Sequence, residues 1–198
     1  MPLWGATDSD ESKPKNLTTA EKKEVFANAS GWVREAGSAL SGNDNTSADP
    51  EILVAIGELS TSIGAADITE VEMVTTTADK SEGFTISVRV RYNEPVDVVT
   101  TGGTPTLAVT NSNDGTGSGR GPHSLSYASG TGTNELIFSL AIAAANAATN
   151  ADDVLSVGAQ TIALNSGTMK DASGTASDAA LVISGALGTA AGTVTVTA

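Results

Sequence analysis

The chain holds one histidine, and the search for chemistry begins there. His123 stands beside Pro122, after a stretch in which Gly115, Gly117, Gly119 and Gly121 alternate with other residues, and Ser124 and Ser126 follow it. A serine nucleophile or a metal site needs an imidazole with a hydroxyl, an acid or further ligands held against it. Ser124 and Ser126 instead alternate with Leu125 and Tyr127 as ordinary strand residues do, so His123 reads as a surface histidine of a loop. Alternating glycines can cradle a phosphate, but a phosphate loop opens a helix and no helix signal follows here. Asn111 to Pro122 therefore reads as a flexible hairpin loop.

Carboxylates are the other chemistry-bearing groups. Asp152 with Asp153, and Asp171 with Asp178, could be paired acids for hydrolysis, yet nothing in the sequence sets either pair in a pocket. Asp44, Asp49 and Asp67 do not have the alternate-position spacing of a calcium loop and read as turn and linker residues. Calcium at the ends of a sandwich stays open, with no matching ligand string. The chain has no cysteine, which removes disulfides, thiolate metal sites and thiol nucleophiles. No set of residues reads as catalytic, and no cofactor is expected.

Charge points the same way. The formal charge is −13, from 23 acidic against 10 basic side chains, whereas phosphate-backbone binding needs concentrated positive charge. Nucleic acid is not an expected partner. No apolar run approaches the roughly 20 residues of a membrane span, and the start Met1-Pro2-Leu3-Trp4-Gly5, followed by Asp8, Asp10 and Glu11, lacks the basic and apolar regions of a secretory signal. The expected place of synthesis is the cytoplasm, without a cleaved signal and without a membrane partner. Aromatic residues are 4% and hydrophobic residues 39%, with 21 glycines, so the core is built of small side chains and gains from packing against a partner.

The elements that must carry these residues are strands. From Phe84 to Tyr92, Phe84, Ile86, Val88, Val90 and Tyr92 fall on one side and Thr85, Ser87, Arg89 and Arg91 on the other. Asn93-Glu94-Pro95 is expected to end that strand, because proline removes a ladder donor. Leu136, Phe138, Leu140 and Ile142, within Glu135 to Ile142, form the matching inward row. Further strands are expected at Ile68 to Thr76, Pro105 to Thr110, Ser124 to Tyr127, Val154 to Val157, Thr161 to Leu164, Leu181 to Ile183 and Thr193 to Thr197. Ala78-Asp79-Lys80 reads as a break, the alanine-rich Ala143 to Asp153 as a helical turn, and Asn165 to Gly174 as a turn-rich crossover. Strands recurring at this spacing make residues 67–198 an all-β sandwich.

The first 66 residues differ. Residues 1–17, with Trp4 and two prolines, read as an extended arm. Residues 18–66 read as a small attachment unit. Thr18-Thr19-Ala20-Glu21 fits a capping box, predicting a short helix to about Phe26 with its end near Ala29-Ser30-Gly31. Trp32 to Ala36 and Glu51 to Ile56 read as a hairpin around a polar loop, Gly42 to Thr46, with Trp32 on its apolar face, and Gly57 to Ala66 as a small-residue connector. A hairpin alone is marginal in water, so this unit must pack on the sandwich or on another protein. Leu3, Trp4, Lys13, Lys15 and Trp32 are the expected interface residues, since tryptophan is over-represented among interface anchors.

Four ordered blocks carry a resemblance. Val90-Arg91-Tyr92-Asn93-Glu94-Pro95-Val96 with Gly103-Thr104-Pro105-Thr106-Leu107, then Tyr127 to Phe138, then Leu164 to Gly174, resemble the Ig-like, cadherin-like repeats of large bacterial adhesins over about residues 68–198. That resemblance implies an Ig-like Greek-key sandwich used as a spacer or adhesive module. Leu3-Trp4-Gly5 with Thr7-Asp8, Ser12-Lys13-Pro14-Lys15 and Gly31-Trp32-Val33 are similar to the opening of small virion structural proteins of tailed phages, marine ones especially. Together the two imply a mainly β virion protein present in many copies and attached through its N-terminal part. Decoration of the capsid is the first expectation, with the major capsid protein as partner and weak glycan binding by the sandwich loops. A neck, tail or fibre component and a bacterial adhesion module are the alternatives.

Overall fold

The computed structural model describes residue 14 and residues 16–113, 120–144, 148–172 and 176–198. Its strands in chain order are β1 (Val25–Asn28), β2 (Gly31–Arg34), β3 (Glu51–Ala55), β4 (Ile68–Met73), β5 (Ala78–Asp79), β6 (Phe84–Val99), β7 (Thr106–Asn113), β8 (Arg120–Ser129), β9 (Thr133–Ile142), β10 (Asp153–Ser156), β11 (Gln160–Thr161), β12 (Thr168–Asp171), β13 (Val182–Ile183) and β14 (Thr193–Thr197). Two short helices, α1 (Leu59–Ser62) and α2 (Gly185–Ala190), and a 3-10 turn at Glu21–Glu24 complete the described elements. The protein is mainly β.

β6 is the axis of the larger region. Burial alternates along its whole length, with Ile86, Val88, Val90, Tyr92, Glu94, Val96 and Val98 inward. Its register with β9 sets Val90 against Leu136, Val88 against Phe138 and Ile86 against Leu140, so the two expected rows meet. The strand does not stop at Asn93-Glu94-Pro95. Six residues of β6, Arg91 to Val96, face only three of β9, Glu135 to Thr133, so the proline falls in a bulge where no ladder donor is required. Beyond the bulge β12 takes over from β4 as the neighbour on the other side, and Ala172 donates to the Pro95 carbonyl at 3.0 Å. The expected crossover at Asn165 to Gly174 thus holds a strand.

The sheet runs β12-β6-β9-β8-β7-β10-β14-β5, with β4 also on β6. Strands from both ends of that path, β4 and β6 on one side and β10 and β14 on the other, bury Val71, Val88, Leu155, Val194 and Val196 in one core, so the sheet curls into a sandwich-like roll. Tyr92 lies in this core and donates its hydroxyl to the Ala180 carbonyl at 2.9 Å. α2, absent from the sequence reading, is capped by Ser184, whose hydroxyl accepts from Leu187, and packs against β4.

The N-terminal region has its own sheet, β1-β2-β3, and its own core of Val25, Ala27, Trp32, Leu59 and Ile63. The capping box is present: Thr18 N donates to Glu21 Oε2 at 2.8 Å and Glu21 N donates to Thr18 Oγ1 at 3.2 Å. It starts only a 3-10 turn, and the predicted helix stops at Glu24 because Val25–Asn28 pairs with β2 instead. Ala29 and Ser30 are the loop of that hairpin, with Ser30 N donating to Asn28 Oδ1 at 2.7 Å. Gly31 follows at φ +135°, and a Cβ there would stand 2.0 Å from the Val54 carbonyl oxygen, so only glycine fits. The expected connector Gly57 to Ala66 contains α1, whose Leu59 and the following Ile63 are buried in the small core.

Candidate functional site

Two polar constellations stand out, and neither was visible as a motif. The first arises from register. β4 sets Glu70 opposite Arg91 and Glu72 opposite Arg89, while β9 sets Glu135 opposite Arg91, so acid, base and acid line up across three strands. Arg91 Nη1 lies 2.6 Å from Glu70 Oε2, its Nε bonds Glu135, and Arg89 Nη1 lies 3.1 Å from Glu72 Oε2. The N-terminal region closes over this row. Lys23 Nζ reaches Glu70 at 2.5 Å and Glu35 accepts from Asn134 Nδ2 at 2.8 Å, leaving the Arg91 side chain 12% exposed. The face of β6 read as outward is therefore a joint between two regions.

Burial shapes the acids at this joint. It pushes the Glu70 carboxyl up, but hydrogen bonds from Lys23 and Arg91 outweigh it and hold the group below the ordinary carboxylate range. Glu35 goes the other way, raised by burial against the opposing Asn134 bond. Such a network fixes orientation more than it adds stability. Its chemistry is that of a latch.

The second constellation surrounds His123. The residue sits in β8 and is 5% exposed, which corrects the reading of a surface loop histidine. Asn111 Nδ2 donates to the Ala148 carbonyl at 2.7 Å, which fixes the amide, and also approaches His123 Nε2 at 3.2 Å. With the amide in this orientation its nitrogen has only protons to offer, which assigns Nε2 the acceptor role in that contact. The Thr149 hydroxyl lies 3.1 Å from the same Nε2. Asp153 is fully buried close by and accepts from Asn150 N at 2.6 Å. Burial lowers the His123 pKa, and the Asp153 charge opposes that shift. An imidazole that is buried, with Nε2 already in contact with Asn111 and Thr149, is not poised as a general base. It ties the segment at Ala148–Asn150 to the β7–β8 hairpin.

Beside this knot an open depression of about 540 Å³ is lined by Lys80, Ser81, Ala144, Asn150, Ala151 and Ala198. Lys80 already donates to Asn150 Oδ1 at 3.1 Å, so its cation is engaged in the wall. Among the described residues no group of three or more histidines and acids could hold a metal ion.

Of the residues expected at an interface, Trp32 is fully buried in the small core, where its role is packing. Leu3, Trp4, Lys13 and Lys15 lie outside the described residues. Asp153 is buried while its neighbour Asp152 is exposed at φ +69°, so the two do not act as a pair. Asp171 is buried and Asp178 is exposed on Lys170 at 2.9 Å, which separates those two as well. The described parts of the Asn111 to Pro122 loop belong to β7 and β8, and residues 114–119 lie outside the described residues. The expected helical turn at Ala143 to Asp153 falls partly on residues 145–147, also outside them, and β10 begins at its end, Asp153.

A signal for the histidine did exist. His123 shares the parity of Leu125 and Tyr127, and carrying that alternation back two residues puts the ring on the core side. No comparable signal marks the ionic row, since it depends on which strands become neighbours. No protein-family model, curated protein or solved structure matches the chain.

Proposed function

We propose that this chain is a non-enzymatic structural protein of a tailed-phage virion, a capsid decoration protein held to the shell through its N-terminal part with the rolled sheet outward. The observation that carries the reading is the two-part build. A small sheet with a separate core is locked across β6 by Lys23, Glu70 and Arg91. A body fixed in orientation on a small mounting unit suits a protein that must project from a surface. The two sequence resemblances support the same reading, as does the net charge of −13, which favours solubility on an exposed particle face.

The test is to count and locate the chain on purified particles. Copies following the icosahedral lattice support decoration, and copies following the six- or threefold symmetry of neck and tail move the protein there. A chain lacking residues 1–13, which keeps Leu17 against the small core, should fold and fail to attach. Full attachment by that truncated chain would remove the arm from the proposal.

A further inference from the structure

Sheet edges are where chains meet unintended partners, and folded proteins cover them. Most edges here are covered. β4 is closed on its outer side by Met73 N donating to the Ala191 carbonyl at 2.9 Å, beside α2. β12 is closed by Asp171 N donating to Ser177 and by Ala179 N donating to Met169, with Lys170 and Asp178 bridged beside them. β5 is two residues long. β1 lies against β6.

β3 is treated differently. It pairs with β2 alone, and among the described residues no backbone hydrogen bond is made along its other side. Its sequence, Glu51-Ile52-Leu53-Val54-Ala55, carries no lysine, proline or inward charge to blunt the edge, and its one irregularity is a bulge at Leu53, where Trp32 faces Val54 and Val33 faces Ile52. Ile52 is 55% exposed. Leu40, 45% exposed, stands at the same end, because Arg34 Nη1 reaches both the Leu40 carbonyl at 3.2 Å and Glu51 at 3.7 Å. Carboxylates flank the strand at Asp49 and Glu51, both exposed, and the nearby cation of Arg34 is held by Glu21 and Glu51.

We infer that the outer edge of β3 is a docking strand, which takes an extended segment of a partner protein, basic and with apolar residues at alternate positions, as the fourth strand of the small sheet. Backbone hydrogen bonds supply the attachment, and Ile52 and the acidic flank supply the selection. Charge decides the occupant. A second copy would bring another −13 and the same carboxylates to the edge, whereas a basic strand neutralises them. The inference rests on the reading of the N-terminal part as the mounting unit and names a second surface that takes part in the mounting beside the arm of residues 1–13.

Edge pairing tolerates sequence, so a designed probe suffices. An acetylated and amidated peptide of alternating valine and lysine, about seven residues long, is titrated into the full-length isotope-labelled protein, beside a valine and glutamate peptide of equal length. The basic peptide should shift the amides of Glu51–Ala55 and slow their hydrogen exchange, and the acidic peptide should bind about tenfold more weakly or less. Ile52→Lys and Asp49→Lys, both at exposed positions, should each weaken the basic peptide about tenfold while leaving the melting curve in place. Shifts at β4 or β12 instead, equal binding of both peptides, or unchanged binding by both variants would overturn the inference. So would self-association of the free protein that protects these same amides. Particle attachment of the unmodified protein is read separately, so a silent β3 with intact attachment sinks the docking strand alone, and failure of the unmodified protein to attach to any shell sinks the broader reading.

Discussion

The two regions of this molecule solve the same problem with different means. The rolled sheet buries long rows of β6 and β9 around Phe138, with the Tyr127 ring edge-on to it at 6.0 Å between centroids, and its polar knot at His123 is internal. The N-terminal sheet has strands of four or five residues and a core of few side chains, of which Trp32 is the largest. It depends on ions at its border where the roll depends on volume at its centre. The difference teaches that the small sheet borrows its fixed orientation from its neighbour, since a unit that size is marginal alone.

The sharpest way to break this comparison is truncation at each centre. Phe138→Ala should cost about 3–5 kcal/mol and lower the melt of the whole chain, while Trp32→Ala should cost a similar amount but expose only the N-terminal amides to exchange. If Trp32→Ala lowers the main transition as Phe138→Ala does, the two regions are one cooperative body. Arg91→Ala comes next, at about 2–3 kcal/mol, less than a fully buried pair because Lys23 still faces Glu70. Its expected mark is faster proteolysis within residues 16–63 and little change in the roll.

A smaller effect is acid loss, which should arrive in two windows. The lowered pKa of His123 means that its contribution is present above the ordinary value of 6.5 and is lost as pH falls through the lower folded value. Glu70, also lowered, holds its contribution above 4.5 and loses it as pH falls further. The raised pKa of Glu35 works against that loss, since protonation relieves its burial. Urea melts followed by exchange at single residues should therefore show the roll weakening first and the N-terminal sheet second, and His123→Gln should remove the first window. Simultaneous loss in both regions would contradict the assignment. The smallest change is Thr18→Ala, which removes one side of the capping box and should shift only the N-terminal transition, by an amount that paired melts are needed to resolve.

What could be read in the sequence follows from how far each signal extends. The inward rows of β6 and β9 were legible because five and four alternating apolar residues leave one register that buries both. β1 was not, since Val25–Asn28 is too short to show a period and the capping box before it argued for a helix. β12 hid for a similar reason: Thr168–Asp171 is flanked by turn residues and becomes a strand only because β6 continues past Pro95 to receive it. The Glu70, Arg91 and Glu135 row had no local trace at all, as its three members come from strands far apart in the chain.

β14 and β5 run parallel, with Val196 opposite Ala78 and Thr197 opposite Asp79, where the other strand pairs described run antiparallel. In a parallel pair, tension applied ahead of β5 and behind β14 pulls at opposite ends, along the strands. The bond from Lys80 N to Thr197 and the bond from the Thr197 hydroxyl to Ala78 then load together instead of opening in turn. The far end of the roll is built to yield to peeling sooner than to stretching, so its resistance to mechanical force depends on the direction of the pull.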